Sequence, residues 1–210
     1  MQKMKESYIT KDFRETAEVQ FPSKAKELKD SFNRRLGELL DENADASKKE
    51  MFHLGRQILP GIAAYETLQQ VMSEEEALET VHSYVEKLVI KSHKRLVSIL
   101  RIPGLYRLVP RVFMKSTRSV FGAEAGFASN EIQTGSGVWR IDMIKCPYHD
   151  ITLKYGVPEL CRCFCDSDDI SYSGLHPKLI WERTKTLGRG NDCCDFCMKI
   201  RKNLNEISRE

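Results

Sequence analysis

Two periodicities divide the chain. Over roughly the first 120 residues apolar side chains recur every three or four positions, and beyond about Phe127 they alternate with polar ones. After Phe21-Pro22, Ser23 is placed to cap a helix carrying Leu28, Phe32, Leu36, Leu39 and Leu40 on one stripe. The stretch "DENADAS" interrupts it. Ser47 with Glu50, and Ser73 with Glu76, have the spacing at which serine and glutamate side chains satisfy each other's backbone N–H groups at a helix start. The first pair opens a segment through Met51, Leu54 and Ile58 that Pro60-Gly61 must kink or end, because proline has no N–H to give. The second opens a helix with Ala77, Val81, Tyr84, Val85 and Leu88 at helical spacing.

In the second half, "VWRIDMIKC" sets Trp139, Ile141 and Met143 against Arg140 and Asp142, the pattern of a strand with one buried face. "KLIWERTKTL" and "CCDFCMKI" read as two more strands joined through the turn residues of "GRGND". Between them, Pro158 suits the first turn of a short helix, "PELCRCFCD". The fold class expected is α+β, an N-terminal helical layer packed on a C-terminal antiparallel sheet. Residues 1–22 read as an extension, and 23–210 as one domain, helical over 23–122 and sheet-rich over 127–201.

With 41% hydrophobic and 30% charged residues, a chain of 210 can bury a core of ordinary size. The net charge of +3 is too small to imply a nucleic-acid partner. Its distribution is uneven. From Lys87 to Ala123 the chain carries Lys87, Lys91, Lys94, Arg95, Arg101, Arg107, Arg111, Lys115 and Arg118, and no acid. Pro103-Gly104 and Pro110 cut this stretch into short pieces, which disfavours a membrane surface as partner and favours a solvated helical face. No apolar run reaches signal-peptide or membrane-spanning length. The expected location is the cytoplasm, where seven cysteines are reduced thiols.

Six of the seven lie between Tyr155 and Met198. On the short helix Leu160, Cys161, Phe164 and Cys165 share a face and Cys163 points elsewhere. On the last strand Cys194 lies with Phe196, Met198 and Ile200, opposite Cys193, Asp195, Cys197 and Lys199. Several of these thiols fill core positions. Cys161, Cys165 and Cys194 are the set that could hold a zinc ion, although their spacing is not that of a zinc ribbon. Cys146, at a strand end before a Pro-Tyr-His loop, is a candidate nucleophile that His149 could orient or deprotonate. Glu182, Thr184 and Thr186 would share one strand face and could line a polar pocket. Asp166, Asp168 and Asp169 follow the short helix, where an unfavourable dipole calls for a partner such as Arg183 or Arg162.

Taken together, "LPGIAAYETL", "GVPELCRCFCDSD", "HPKLIWERTKTLGRG" and "CDF" make the chain resemble the L-2-amino-thiazoline-4-carboxylic acid hydrolase family, from about Leu59 to Met198. The resemblance implies a bacterial hydrolase that opens a cyclic amidine to an N-carbamoyl amino acid; no required cofactor is expected, with zinc as the possible exception. The positions it carries over are Cys146, Cys161, Cys165, Asp168, Arg183, Thr184, Cys194 and Asp195. Cys163, Cys193 and Cys197 are additions in this chain. In that frame Cys146 or Cys165 supplies the nucleophile, Asp168 moves protons, and Arg183, with Thr184 and Glu182, receives a small substrate bearing a carboxylate. The competing expectation is a non-enzymatic module that senses a metal or small ligand. Association into a homo-oligomer is compatible with either.

Overall fold

A computed structural model describes residues 6–132 and 134–201. Eight α-helices are described: α1 (Tyr8–Gln20), α2 (Ala25–Asp41), α3 (Lys48–His53), α4 (Leu59–Leu68), α5 (Glu74–Leu100), α6 (Val109–Val120), α7 (Pro147–Lys154) and α8 (Cys161–Tyr172). Four strands, β1 (Ala128–Glu131), β2 (Val138–Lys145), β3 (Leu179–Glu182) and β4 (Cys194–Ile200), form one antiparallel sheet in the order β1-β2-β4-β3. The class is α+β, with the helices mostly N-terminal and the sheet C-terminal. The chain divides into two compact units: one runs up to Leu88 and adds Pro147–Phe164, the other is Val89–Cys146 together with the chain from Cys165 onward.

The first unit is helical. α1 lies in the segment expected to be an extension, yet Ile9, Phe13 and Ala17 are fully buried in the core with Leu28, Phe32, Tyr65 and Val81. The apolar stripe of α1 is short and interrupted by charge, so it reads weakly by itself. Phe13 stacks on Phe32 at 4.4 Å. Ser23 does not cap α2. Pro22 instead sits in a backbone turn closed by the Lys24 N–H on Phe21 O at 2.9 Å, and the helix begins after it. Ser47 and Ser73 do cap, each accepting from a backbone N–H three residues on. Glu76 completes the second box by accepting from the Ser73 N–H at 2.8 Å.

Pro60 neither ends nor breaks the helical path. A wide π-helical turn, Leu54–Ile58, precedes it, and the Leu59 N–H reaches back to Leu54 O. In an α-helix Pro60 would owe its hydrogen to Arg56 O, and it has none. Ser7 supplies one: its hydroxyl donates to Arg56 O at 2.6 Å while accepting from the Ile9 N–H that opens α1. Next to the proline, Gly61 has no side chain because Phe164 Cζ lies 2.8 Å from where a Cβ would stand.

The second unit holds the sheet. On one face Trp139, Ile141 and Met143 of β2 lie opposite Met198, Phe196 and Cys194 of β4, and Trp181 of β3 also pairs with Met198. Phe113 of α6 meets Trp139 at 5.1 Å, and Tyr172 of α8 meets Trp181 at 5.0 Å, so aromatic rings from two helices cover that face. The other face is polar, with Lys199 paired to Glu182 at 2.6 Å. β1, "ASNE", was not anticipated, since it is a short edge strand with neither β-branched residues nor alternation.

Ser7→Ala should cost about 1–3 kcal/mol, because one change removes a cap and leaves a carbonyl unpaired beside Pro60. Ser23→Ala should stay within about 0.5 kcal/mol. Chemical denaturation of both variants checks the pair; equal effects would contradict the assignment of Ser7.

Candidate functional site

The second unit places a buried charge against α8. The helix does not stop at Asp166 but runs to Tyr172, so Asp166, Asp168 and Asp169 lie within it and not beyond its end. The positions 165, 168, 169 and 172 therefore share one face. Arg183 follows β3 immediately, and its side chain is only 2% exposed. Its Nη1 donates to Cys165 O at 2.9 Å, and its Nη2 donates to Asp169 Oδ2 at 2.5 Å. Asp168 Oδ2 lies 3.5 Å from Nη1, and the guanidinium sits over the Phe196 ring at 5.7 Å. Burial alone would push Arg183 toward losing its charge; Asp168 and Asp169 more than offset this and hold it protonated.

The two aspartates differ. Asp169 is fully engaged, with Oδ2 on Arg183 and Oδ1 accepting from Trp181 Nε1 at 2.8 Å. Asp168 has the longer contact with Arg183, and its side chain is 36% exposed. Its surroundings desolvate it, and that effect, with repulsion from Asp169, outweighs Arg183 and pushes the carboxyl up to about 7. Tyr172 is raised for the same reasons, burial first and the Asp168 charge second.

Other residues singled out from the sequence are engaged elsewhere. β3 ends at Glu182, so Glu182, Thr184 and Thr186 do not line one strand face. The ladder gives way because the Asp195 carboxylate takes the Thr184 and Lys185 N–H groups at 2.8 and 2.6 Å, together with the Thr184 hydroxyl at 2.6 Å. Burial would raise Asp195, but these donors hold it below the usual carboxylate range. Glu182 pairs with Lys199. The Pro-Tyr-His segment after Cys146 is the first turn of α7 and not a loop, and His149 Nδ1 lies 3.2 Å from Asp150 Oδ1. Arg189 pairs with Asp166 at 2.9 Å.

The thiols separate by environment. Cys163, read as pointing elsewhere than Cys161 and Phe164, is also buried in the core of the first unit with its Sγ 3.8 Å from Leu78 O, and Cys161 is buried too. Burial pushes the Cys194 thiol up to about 12, although the Leu187 N–H reaches its sulfur at 3.3 Å. Cys193 and Cys197 are raised too, by burial first and nearby carboxylates second. These three stay protonated at neutral pH and are poor nucleophiles. Cys146 and Cys165 are the half-buried thiols outside this group. Cys165 lies near enough to Arg183 and Cys194 for its charge to act on both. Among the described residues, no group of three or more His, Cys, Asp and Glu is placed to hold a metal ion.

Sequence reasoning did not single out Tyr172, Trp181 or Phe196 for the site, and named Asp169 only as an acid calling for a partner. The signal was present in the 165/168/169/172 spacing, but it becomes visible only if the helix continues past Asp166.

The folded protein keeps the Asp168 proton up to about pH 7, whereas an unfolded aspartate releases it near about 3.9. Between these limits the folded state binds the extra proton, so this group makes stability fall as pH rises through the window. Asp168→Asn removes the effect. Melting temperatures at pH 5 and pH 8 should shift in the variant's favour at the higher pH; a constant difference would contradict the assignment.

No curated protein matches the chain. A family model described as L-2-amino-thiazoline-4-carboxylic acid hydrolase matches residues 51–198, a span that includes α8, Arg183 and Asp195. The chain belongs to the L-2-amino-thiazoline-4-carboxylic acid hydrolase family.

Proposed function

We propose that the protein hydrolyses a small cyclic amidine such as 2-aminothiazoline-4-carboxylate, opening the ring to an N-carbamoyl amino acid. The hydrolase role rests on family membership. The observation that supports this chemistry is the Cys165–Asp168 pair on one face of α8, with Asp168 partly exposed and its carboxyl pushed up to about 7.

Carbon 2 of an aminothiazoline becomes strongly electrophilic once the ring nitrogen is protonated, and a carboxyl that titrates near about 7 is matched to that proton transfer. The Cys165 thiol adds to carbon 2. The carbon–sulfur ring bond then breaks, the sulfur leaves as a thiolate, and a proton returns to it. A water must later displace Cys165 to release the carbamoyl product. Asp169 and Trp181 hold Arg183 in place, and its charge draws a substrate carboxylate toward Asp168 while limiting how far the Asp168 pKa rises. Thr184 shapes the approach through its bond to Asp195. Cys146 is the second thiol candidate, immediately before α7.

The purified protein incubated with 2-aminothiazoline-4-carboxylate should yield the N-carbamoyl product by mass spectrometry. Asp168→Asn should lower kcat by about 10²–10⁴-fold and remove the pH dependence near neutrality. Cys165→Ala should abolish turnover, and Cys146→Ala should spare it. A reversed pattern moves the nucleophile to Cys146. No turnover of this compound or related cyclic amidines by the unmodified protein contradicts the proposal.

A further inference from the structure

The acid-free stretch of the second unit forms a surface the hydrolase site does not use. The segment Ile102–Arg111 joins α5 to the start of α6 around a Pro103-Gly104 turn in which Gly104 has φ +81°. Neither proline interrupts the surface: Pro103 lies within the turn closed by the Leu105 N–H on Ile102 O, and Pro110 sits buried in the first turn of α6. Val109, Phe113 and Thr117 face inward, with Phe113 against Trp139. The outward stripe of α6 is Arg111, Lys115 and Arg118, at i, i+4 and i+7.

Beside these cations, aliphatic side chains face solvent: Ile102 is 58% exposed, Leu108 46% and Val112 56%. Two open depressions, of about 580 and 370 Å³, adjoin through Arg111; the first sets Ile102, Leu105 and Leu108 beside Arg107, and the second sets Met114 beside Lys115 and Arg118. Among the described residues, the ion pair recorded along the α6 stripe is Arg118 with Glu131. Single exposed aliphatics are ordinary, but a set of them interleaved with cations over a segment without acids is not.

We propose that this face docks on an anionic phospholipid membrane surface. The cations match the headgroup phosphates, each contributing about fivefold in partitioning, and Ile102, Leu108 and Val112 gain by entering the boundary between headgroups and acyl chains. A nucleic acid would attract the same cations but would gain nothing from exposed aliphatics, and the face offers no exposed aromatic platform for bases. The weak net charge of +3 makes binding depend on this local patch and on salt.

The full chain is tested by vesicle flotation with neutral phosphatidylcholine and with phosphatidylcholine carrying 30% phosphatidylglycerol. It should float with the anionic vesicles at low salt and be released at high salt. Arg111→Glu with Lys115→Glu should reduce partitioning by about thirtyfold or more. Ile102→Asp with Leu108→Asp should weaken it while leaving its salt dependence. Lys24→Glu with Lys26→Glu, the same charge change on the first unit, should leave it unchanged. Circular dichroism melting confirms that each variant is folded. Absence of anionic-vesicle binding, equal binding to both vesicle types, loss in the Lys24/Lys26 variant, or salt-sensitive binding to a DNA oligomer but not to vesicles each overturns the proposal.

Discussion

A guanidinium taken out of water must be met by opposite charge and filled hydrogen bonds, or it destabilises the fold that buries it. Arg183 imposes that requirement on the second unit. Its Nη1 takes the carbonyl of Cys165, its Nη2 takes Asp169, and the Phe196 ring lies beneath the fork. The end of β3, the middle of β4 and the second half of α8 are thus constrained around one cation. Trp181 reinforces the arrangement by donating to the same Asp169. What the arrangement leaves over is Asp168, close enough to feel Arg183 but not bonded tightly enough to be ionised by it. A site built for ion pairing thereby holds a carboxyl whose proton is available near neutral pH.

The thiols show the same economy of roles. Burial keeps Cys193, Cys194 and Cys197 protonated, so three cysteines of β4 and its approach act as small apolar side chains. Cys161 and Cys163 are buried in the same sense. An abundance of cysteine is therefore not an abundance of reactive thiolate; outside this buried or raised group only Cys146 and Cys165 are half-buried thiols.

The alternation in "VWRIDMIKC" and the helical spacing after Ser73 were legible because each places a buried face at the period of its own element, and tertiary packing agrees with it. The failures share a different cause. Where a side chain replaces a backbone partner, local pattern misleads: Asp195 substitutes for the strand ladder at Thr184, and Ser7 substitutes for the hydrogen Pro60 lacks, 49 residues away in sequence. The sequence pattern ends α8 at Asp166 because three acids at a helix C-terminus face an unfavourable dipole, although Arg183 and Arg189 offset their charge within the helix. Arg183 was correctly anticipated as a partner for those acids. The depth of that engagement was not: Nη1 is taken by the Cys165 carbonyl and Nη2 by Asp169.

The central claim is that Arg183 and Asp169 stabilise the second unit as a coupled pair. A double-mutant cycle with Arg183→Met, Asp169→Asn and their combination, followed by urea denaturation at pH 7, tests it directly. The account predicts that Arg183→Met alone costs about 3 kcal/mol, and that the double variant loses less than the sum of the singles by at least about 1.5 kcal/mol. Losses that add to within about 0.5 kcal/mol would contradict it.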